Sequence, residues 1–326
     1  MKAIVVQSDR PGRPLAWTEV PDPEYAADEV LVDVQATALN RADLMQRAGN
    51  YPAPPGASTY MGLEMAGTVA AVGSDVSDWR PGDRVYALLT GGGYAERVNV
   101  PAAMLWPMPD EWAFTYAGAI PEVFLTAYLN LFLEAGLQAG DTVLMHGGAS
   151  GVGTAGIQMA RYAGCRVLVT AGTEEKTARC RELGADLAVN YKAQDFVEEI
   201  RDFTDGAGVD VIMDMVGAAY LERNLSLLKV YGRLVIIALL GGAAAEINLG
   251  RLMRPRLRLI GSVLRPRSVA EKVEIMRNFQ AQFGPHLRDG RIRPIIDSIY
   301  PIEEADAAQA RMAANLNIGK IVLQTR

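Results

Sequence analysis

The sequence predicts an α/β protein with two parts: a compact, mostly-β domain and a doubly wound domain built on a parallel sheet. Three observations carry that prediction. Up to about Ala119, short runs alternate apolar and polar residues between Gly and Pro. From about Pro121, runs that are apolar throughout recur with helical stretches between them, the pattern of strands buried on both faces. One of those runs leads into a glycine-rich loop that opens a helix. The chain has 326 residues, enough for about two domains, and 50% of them are hydrophobic.

The first part holds KAIVVQ, EVLVDVQATAL, GTVAAVG, DRVYALL and AERVNV, each read as a half-buried strand. PGDRV, from Pro81, is a turn entering a strand, and GNYPAPPGAS, from Gly49, is a Pro- and Gly-rich loop. PEVFLTAYLNLFLEAG then reads as an apolar helix with Pro121 in its first turn. TVLMHG, RVLVTAG, LAVNY, VDVIMDMVG, GRLVIIALL and RLRLIGSVL supply the parallel strands. After Leu264, the helical stretch VAEKVEIMRNFQ and the strands SIYPI and KIVLQ return to the style of the first part. The C-terminus is therefore expected to pack on it.

Charge and composition exclude several functions. A formal net charge of −6 argues against nucleic acid or an anionic membrane as the main partner. The N-terminus, MKAIVVQSDRPGRP, lacks the apolar core of a signal peptide and reads as a first strand. The greasiest stretch, from Leu234 to Leu240, is far too short to span a bilayer. Two Cys (Cys165 and Cys180) make no disulfide framework and suit a reducing compartment, the cytoplasm. With only His146 and His286 besides, they cannot build a His/Cys zinc site of the usual kind, so no metal is expected.

The glycine loop carries the chemistry. TVLMHG runs into GASGVGTAGIQMARYAG, where Gly151, Gly153 and Gly156 fit G-x-G-x-x-G. The first glycine permits a tight turn, the second a close approach of backbone amides to a diphosphate, the third close packing of helix on strand. The helix start adds unpaired N–H groups and partial positive charge. A glycine loop alone is an ordinary turn, but here it follows a strand, opens a helix and is followed by RVLVTAG. The predicted ligand is a dinucleotide. A 2′-hydroxyl is usually held by an acid about 20 residues past the glycines. Here the second strand ends at Ala171, Gly172 and Thr173, with Glu174, Glu175 and Lys176 following. Thr173, Lys176 and a nearby tyrosine favour a 2′-phosphate, and the two acids read as the solvated first turn of a helix.

ALNRAD (from Ala38), GLEMAGTV (from Gly62), PGDRV, FLTAY (from Phe124), GASGVGTAGIQMA, LGAD, VNYK (from Val189) and NIGKIVL occur in an order that resembles the medium-chain dehydrogenase/reductase superfamily. Within it the chain is similar to the zeta-crystallin-like quinone oxidoreductases. TAG-x₃-K, VNYK and the NIGKIVL tail resemble the tumour-suppressor-induced type. The resemblance implies a GroES-like catalytic domain (1–120 with 266–326) and a Rossmann domain binding NADPH (121–265). Asn40 and Leu63 stand where the zinc alcohol dehydrogenases carry a Cys and a His, and the structural zinc lobe is missing. The implied chemistry is zinc-free hydride or stepwise electron transfer to quinones or activated C=C bonds.

The resemblance also implies residue roles. Ser150, Gly151, Val152 and Gly153 would bind the diphosphate; Gly172, Thr173, Lys176 and Tyr191 the 2′-phosphate and adenosine. Leu239, Leu240 and Gly241 would follow the nicotinamide ribose, and Ser262, Val263 and Leu264 the carboxamide. Asn40 and Thr126 would border the nicotinamide, Asn317 would close the site, and Tyr51 would face the acceptor. Each has a plainer reading: Tyr51 a loop pin, Asn40 a turn cap, Tyr191 packing, Lys176 a solvated helix residue. His146 reads as a buried strand-end residue, the cysteines as ordinary interior residues, and Asp214 as a buried acid needing a partner. The acceptor is expected to be a quinone or another electrophilic small molecule. An enal or enoyl reductase and an NADPH-binding sensor with little turnover are the alternatives. A homodimer through the edge strand near 256–264 is expected, with a monomer guarded by Arg256 and Arg258 as the other reading.

Overall fold

A computed structural model describes residues 1–325. The chain separates into two compact units: Met1–Val123 with the chain from Arg265 onward, and Phe124–Leu264.

The first unit is built on a seven-stranded sheet, with Glu29–Ala38 pairing Glu64–Val72, Arg97–Pro101 and Lys320–Gln324. Along Glu29–Ala38 the alternation is real: Val30, Val32, Val34 and Ala36 are buried, and their neighbours up to Gln35 are half-buried. Two register shifts against Glu64–Val72 curve the pair. The C-terminal strand enters this sheet beside Glu29–Ala38, with Val322 opposite Ala38. A hairpin of Lys2–Val6 and Leu15–Glu19 completes the strands of the N-terminal stretch. The helix Val269–Arg288 starts on a reciprocal cap between Ser268 and Glu271. It buries Ile275, Met276, Phe279, Phe283 and Leu287, spaced to share one face, and Phe279 packs 5.9 Å from Trp106. It runs about two turns beyond the stretch the sequence suggested, because those aromatic anchors continue past Gln280 and hold it through Pro285.

The second unit has a six-stranded, all-parallel sheet. Its order is Leu187–Asn190, Arg166–Ala171, Thr142–Met145, Val209–Asp214, Leu228–Ile236, Arg258–Gly261. The chain starts in the middle and winds outward both ways, which places a switch point between Thr142–Met145 and Val209–Asp214. One face packs Leu144, Leu168, Ile212 and Leu234 against Phe196, Ile200 and Leu225.

Two elements differ from their sequence reading. GRLVIIALL is strand only to Ile236. Leu240 and Gly241 instead turn their amides to the carbonyls of Met215 and Val216. The apolar stretch from Pro121 is α-helical through Tyr128 and then widens into a π-helical turn, Leu129–Glu134. Asn130 Nδ2 donates to the Thr126 carbonyl (2.7 Å), a side-chain competitor for the helical ladder at the point of widening.

Phe196 is fully buried in the second unit's core. Phe196→Ala is expected to lower stability by about 3–5 kcal/mol. Urea unfolding measures it, and a loss under about 1 kcal/mol would contradict this packing.

Candidate functional site

The turn after Thr142–Met145 lies at the carboxyl ends of the parallel strands. The helix Gly151–Tyr162 begins there on Ser150, whose hydroxyl accepts from the Gly153 amide (3.0 Å). Thr154 N is answered by the Ser150 carbonyl (2.8 Å). The amides of Gly151 and Val152 have no partner among the described residues, and no acid lies in the helix's first turn. Gly153 has a reason within the fold to lack a side chain. Its amide is capped, and a Cβ there would lie 2.4 Å from the Gly147 carbonyl oxygen, so the bare Cα lets the loop fold under its own helix. Gly156 has the expected packing role, with Met145 Sδ 2.7 Å from where its Cβ would be. Two open amides on a twelve-residue helix form a seat that fits a dinucleotide's diphosphate.

Farther along, Thr173 caps the helix Glu174–Glu182 by accepting from Lys176 N (3.2 Å). Glu174 is turned aside, its carboxylate accepting from Asn190 Nδ2 (2.7 Å). The Tyr191 hydroxyl lies 3.0 Å from the position of a Cβ on Gly172, so that glycine makes room for the ring. Lys192 stands against the same glycine, its Cε 3.5 Å from that position. Lys192 was overlooked in the sequence, although VNYK contains it. The corner thus gathers Thr173, Tyr191 and Lys192, with Lys176 half-buried one turn on.

Leu239 and Leu240 are 52% and 53% exposed, an apolar surface on the loop after Leu228–Ile236. Ser262 is buried with its hydroxyl unpartnered, beside exposed Val263 and buried Leu264. Thr126 is half-buried with its carbonyl held by Asn130. Asp214 has found its partners: it accepts from Val216 N (2.7 Å) and Gly217 N (3.0 Å), fixing the turn after its strand. His146 is buried between Thr170 Oγ1 (3.0 Å) and Asn224 Oδ1 (2.8 Å), and burial lowers its pKa, so it stays neutral. Cys165 and Cys180 are buried thiols pushed up to about 11 and 12 by burial.

In the first unit, Asn40 sits in a buried polar cluster. Its Nδ2 donates to Glu64 Oε1 (2.9 Å), its Oδ1 accepts from Lys320 Nζ (2.7 Å), and its amide donates to Asp43 (2.7 Å) at the start of the helix Arg41–Arg47. Lys320 Nζ also reaches Glu64 Oε1 (2.6 Å) and the Leu39 carbonyl (2.7 Å). Burial pushes Asp43 up to about 6, against the pull of the Asn40 amide and the Tyr94 hydroxyl. Asn40 is therefore tied into a network, and its turn-capping side is present. Asn317 is half-buried and donates to the carbonyl of Gly319 in its own turn (2.8 Å). Tyr51 packs under Arg265, whose guanidinium lies 5.1 Å from the ring centre. Burial, then Glu122, raises its hydroxyl pKa. Among the described residues, no group of three or more His, Cys, Asp and Glu is placed to hold a metal.

Glu64, Glu122, Lys320, Arg265 and Lys272 went unassigned in the sequence. The available signal was a charged residue set inside an apolar run, as in GLEMAGTV and NIGKIVL.

A doubly wound sheet with an open-amide helix start, accompanied by a β-rich unit, defines the class: a medium-chain dehydrogenase/reductase. The family model described as alcohol dehydrogenase GroES-like domain matches residues 26–110, and that described as zinc-binding dehydrogenase matches residues 151–278. Human quinone oxidoreductase is 31% identical over 297 residues, covering 90% of this chain and 88% of its own. The structure of Escherichia coli quinone oxidoreductase complexed with NADPH superposes with a TM-score of 0.88 at 28% identity, over 99% of each chain. That of CurK enoyl reductase gives 0.87 at 27% identity, over 99% of this chain and 98% of its own. The chain belongs to the quinone oxidoreductase family, the zeta-crystallin-like branch of that class.

Lys320 and Glu64 are both buried, at 2% and 0% side-chain exposure. Lys320→Met strands a buried carboxylate and is expected to cost about 3–5 kcal/mol, whereas adding Glu64→Gln returns much of it. Chemical denaturation of the single and double variants checks this, and equal losses in both would contradict the pairing.

Proposed function

We propose that this protein reduces quinones with NADPH, by hydride or stepwise electron transfer and without zinc. The observation that carries the reading is the pair of open amides at Gly151 and Val152 in a chain of this family. When bound, NADPH supplies the hydride. The chain's part is to hold and orient it. Ser150, Gly151, Val152 and Gly153 form the diphosphate turn, with the open amides of Gly151 and Val152 as donors. Gly172, Thr173, Lys176 and Tyr191, joined by Lys192, take the adenosine 2′-phosphate; Glu174 is kept from it by Asn190. Leu239, Leu240 and Gly241 are proposed along the nicotinamide ribose, and Ser262, Val263 and Leu264 at the carboxamide, where the unpartnered Ser262 hydroxyl offers a hydrogen bond. Thr126 and Asn40 are proposed beside the nicotinamide, Asn317 as a closing residue and Tyr51 on the acceptor side. Two buried, unpaired thiols support a cytoplasmic location.

Reduction of an activated C=C bond is the second reading. It needs a proton donor, and Tyr51, protonated at neutral pH like any tyrosine, is the candidate, although burial raises its pKa and makes it a weaker acid. Stopped-flow oxidation of NADPH against ortho- and para-quinones and enones separates the readings. The expected result is quinone-dependent oxidation, with Lys176→Ala reducing the preference for NADPH over NADH about tenfold or more. NADPH binding without oxidation by any acceptor would leave a sensor instead.

A homodimer through the edge of the parallel sheet is proposed as well. Among the described residues, Arg258–Gly261 pairs on one side only, with Leu228–Ile236. Tyr231, within Leu228–Ile236, and Met253, at the end of the short helix Gly250–Met253, are 62% and 72% exposed. Sedimentation equilibrium is expected to give twice the 35.2 kDa chain mass, and Leu259→Glu to give single chains with an unchanged melt. A wild-type monomer would contradict the assembly.

A further inference from the structure

Two cations in the first unit are buried without an ion pair among the described residues. Arg265 is 3% exposed and Lys272 is 2% exposed. Arg265 Nε donates to the Thr90 carbonyl (2.8 Å) and Nη1 to the Tyr51 carbonyl (3.4 Å); its Nη2 is buried with no partner. Lys272 Nζ donates to the Thr90 hydroxyl (2.8 Å). A single residue, Thr90, thus braces both cations and leaves one guanidinium nitrogen unused. Leaving a buried guanidinium N–H unanswered is costly, which points to a ligand that answers it.

Glu122 belongs to the same cluster. Its amide donates to Glu64 Oε2 (2.9 Å), yet its carboxyl makes no hydrogen bond among the described residues. The charged and titratable groups bearing on it are Glu64, Lys320, Asp43, Lys272, Tyr51 and Arg265. Burial, then the Glu64 charge, pushes it up to about 8, so it is a carboxylic acid at neutral pH. In that state the buried cations Lys320, Lys272 and Arg265 face two buried carboxylates, Glu64 and Asp43, while Glu271, exposed and shared with Arg267, bears on Lys272 from the start of its helix. The buried groups thus hold one cation more than anion, which an oxyanion would balance.

We propose that Arg265 Nη2 binds the acceptor oxygen that becomes anionic, and that Glu122 delivers the proton to it. This rests on the reading of the chain as an NADPH-dependent reductase, and it names the acceptor class: a conjugated carbonyl compound whose reduction leaves an oxyanion. The acceptor gains the hydride and its electron pair from the cofactor and becomes a hydroquinone monoanion or an enolate. The O–H bond of Glu122 then breaks. Its proton goes to the oxyanion, its electron pair stays on the carboxylate, and the carboxylate takes a proton back from water. Lys272 is a positioning residue, holding Thr90 under Arg265.

The test uses the full-length protein and 4-nitrophenolate, an aromatic oxyanion, titrated from pH 7 to 10 and read by its absorbance. Wild type is expected to bind it and to lose affinity as the pH rises through about 8, where Glu122 ionises. Arg265→Gln is expected to weaken binding about tenfold or more, with Arg265→Lys, which keeps the charge, as the control for folding. Glu122→Gln keeps the binding and loses its pH dependence. In stopped-flow assays the same variant is expected to lose about a hundredfold in kcat for quinones with KM little changed. A wild type that does not bind, Arg265→Gln that binds as wild type, or Glu122→Gln with an unaltered kcat and pH profile overturns the proposal. If wild type oxidises no NADPH with any quinone, the reductase reading fails on its own. The phenolate titrations still decide whether Arg265 and Glu122 form an oxyanion subsite.

Discussion

A helix cannot satisfy its own first amides, and the second unit is arranged around that deficit. At Gly151–Tyr162 the chain answers two of these groups, Gly153 through the Ser150 hydroxyl and Thr154 through the Ser150 carbonyl. It leaves Gly151 and Val152 open at the ends of parallel strands. The surroundings keep the position clean. Asp214, the acid at the end of Val209–Asp214, is spent on the amides of Val216 and Gly217. His146 is locked neutral between Thr170 and Asn224. No side chain fills the turn at Gly153, because the loop beneath it comes within 2.4 Å of where a Cβ would be. The result is a fixed set of donors backed by the helix's partial positive charge, a combination that favours an anion.

The first unit handles charge differently. It buries ionised and polar groups in a connected set, Asn40, Asp43, Glu64, Tyr94 and Lys320, where nearly every polar atom has a partner. Such a network adds little net stability over an apolar core of similar volume, but it fixes geometry and fails badly when one member is lost. Beside it, Arg265 keeps a buried guanidinium nitrogen without a partner, and the half-buried Glu122 carboxyl makes no hydrogen bond among the described residues.

Much of this was legible in the sequence because periodicity and glycine spacing report backbone geometry directly. EVLVDVQATAL showed its pleat, and the apolar runs from TVLMHG onward showed strands covered on both faces. Element ends were less legible. Leu239 and Leu240 continue an apolar run yet leave the sheet, because their loop hydrogen-bonds to Met215 and Val216, a tertiary fact no local pattern contains. The helix after Pro121 widens at a side chain, Asn130, that periodicity treats as an ordinary polar position. The proposed nucleotide side of the site rests on a motif with a mechanical meaning, and the structure adds Lys192 beside Gly172. The proposed acceptor side has no such motif. Tyr51 was singled out, but Glu122, Arg265 and Lys272 lie far apart in the chain, and only folding shows which charges are left without partners.

The account stands or falls on the two open amides. Nuclear magnetic resonance of ¹⁵N-labelled protein follows them individually, without and with saturating NADPH. The expected result is fast hydrogen exchange at Gly151 and Val152 in the free protein, followed by strong protection and downfield shifts in the complex, while Gly153, already capped, changes little. Gly151 and Val152 signals that are protected from the outset, or that do not respond to a nucleotide shown to be bound, would contradict it.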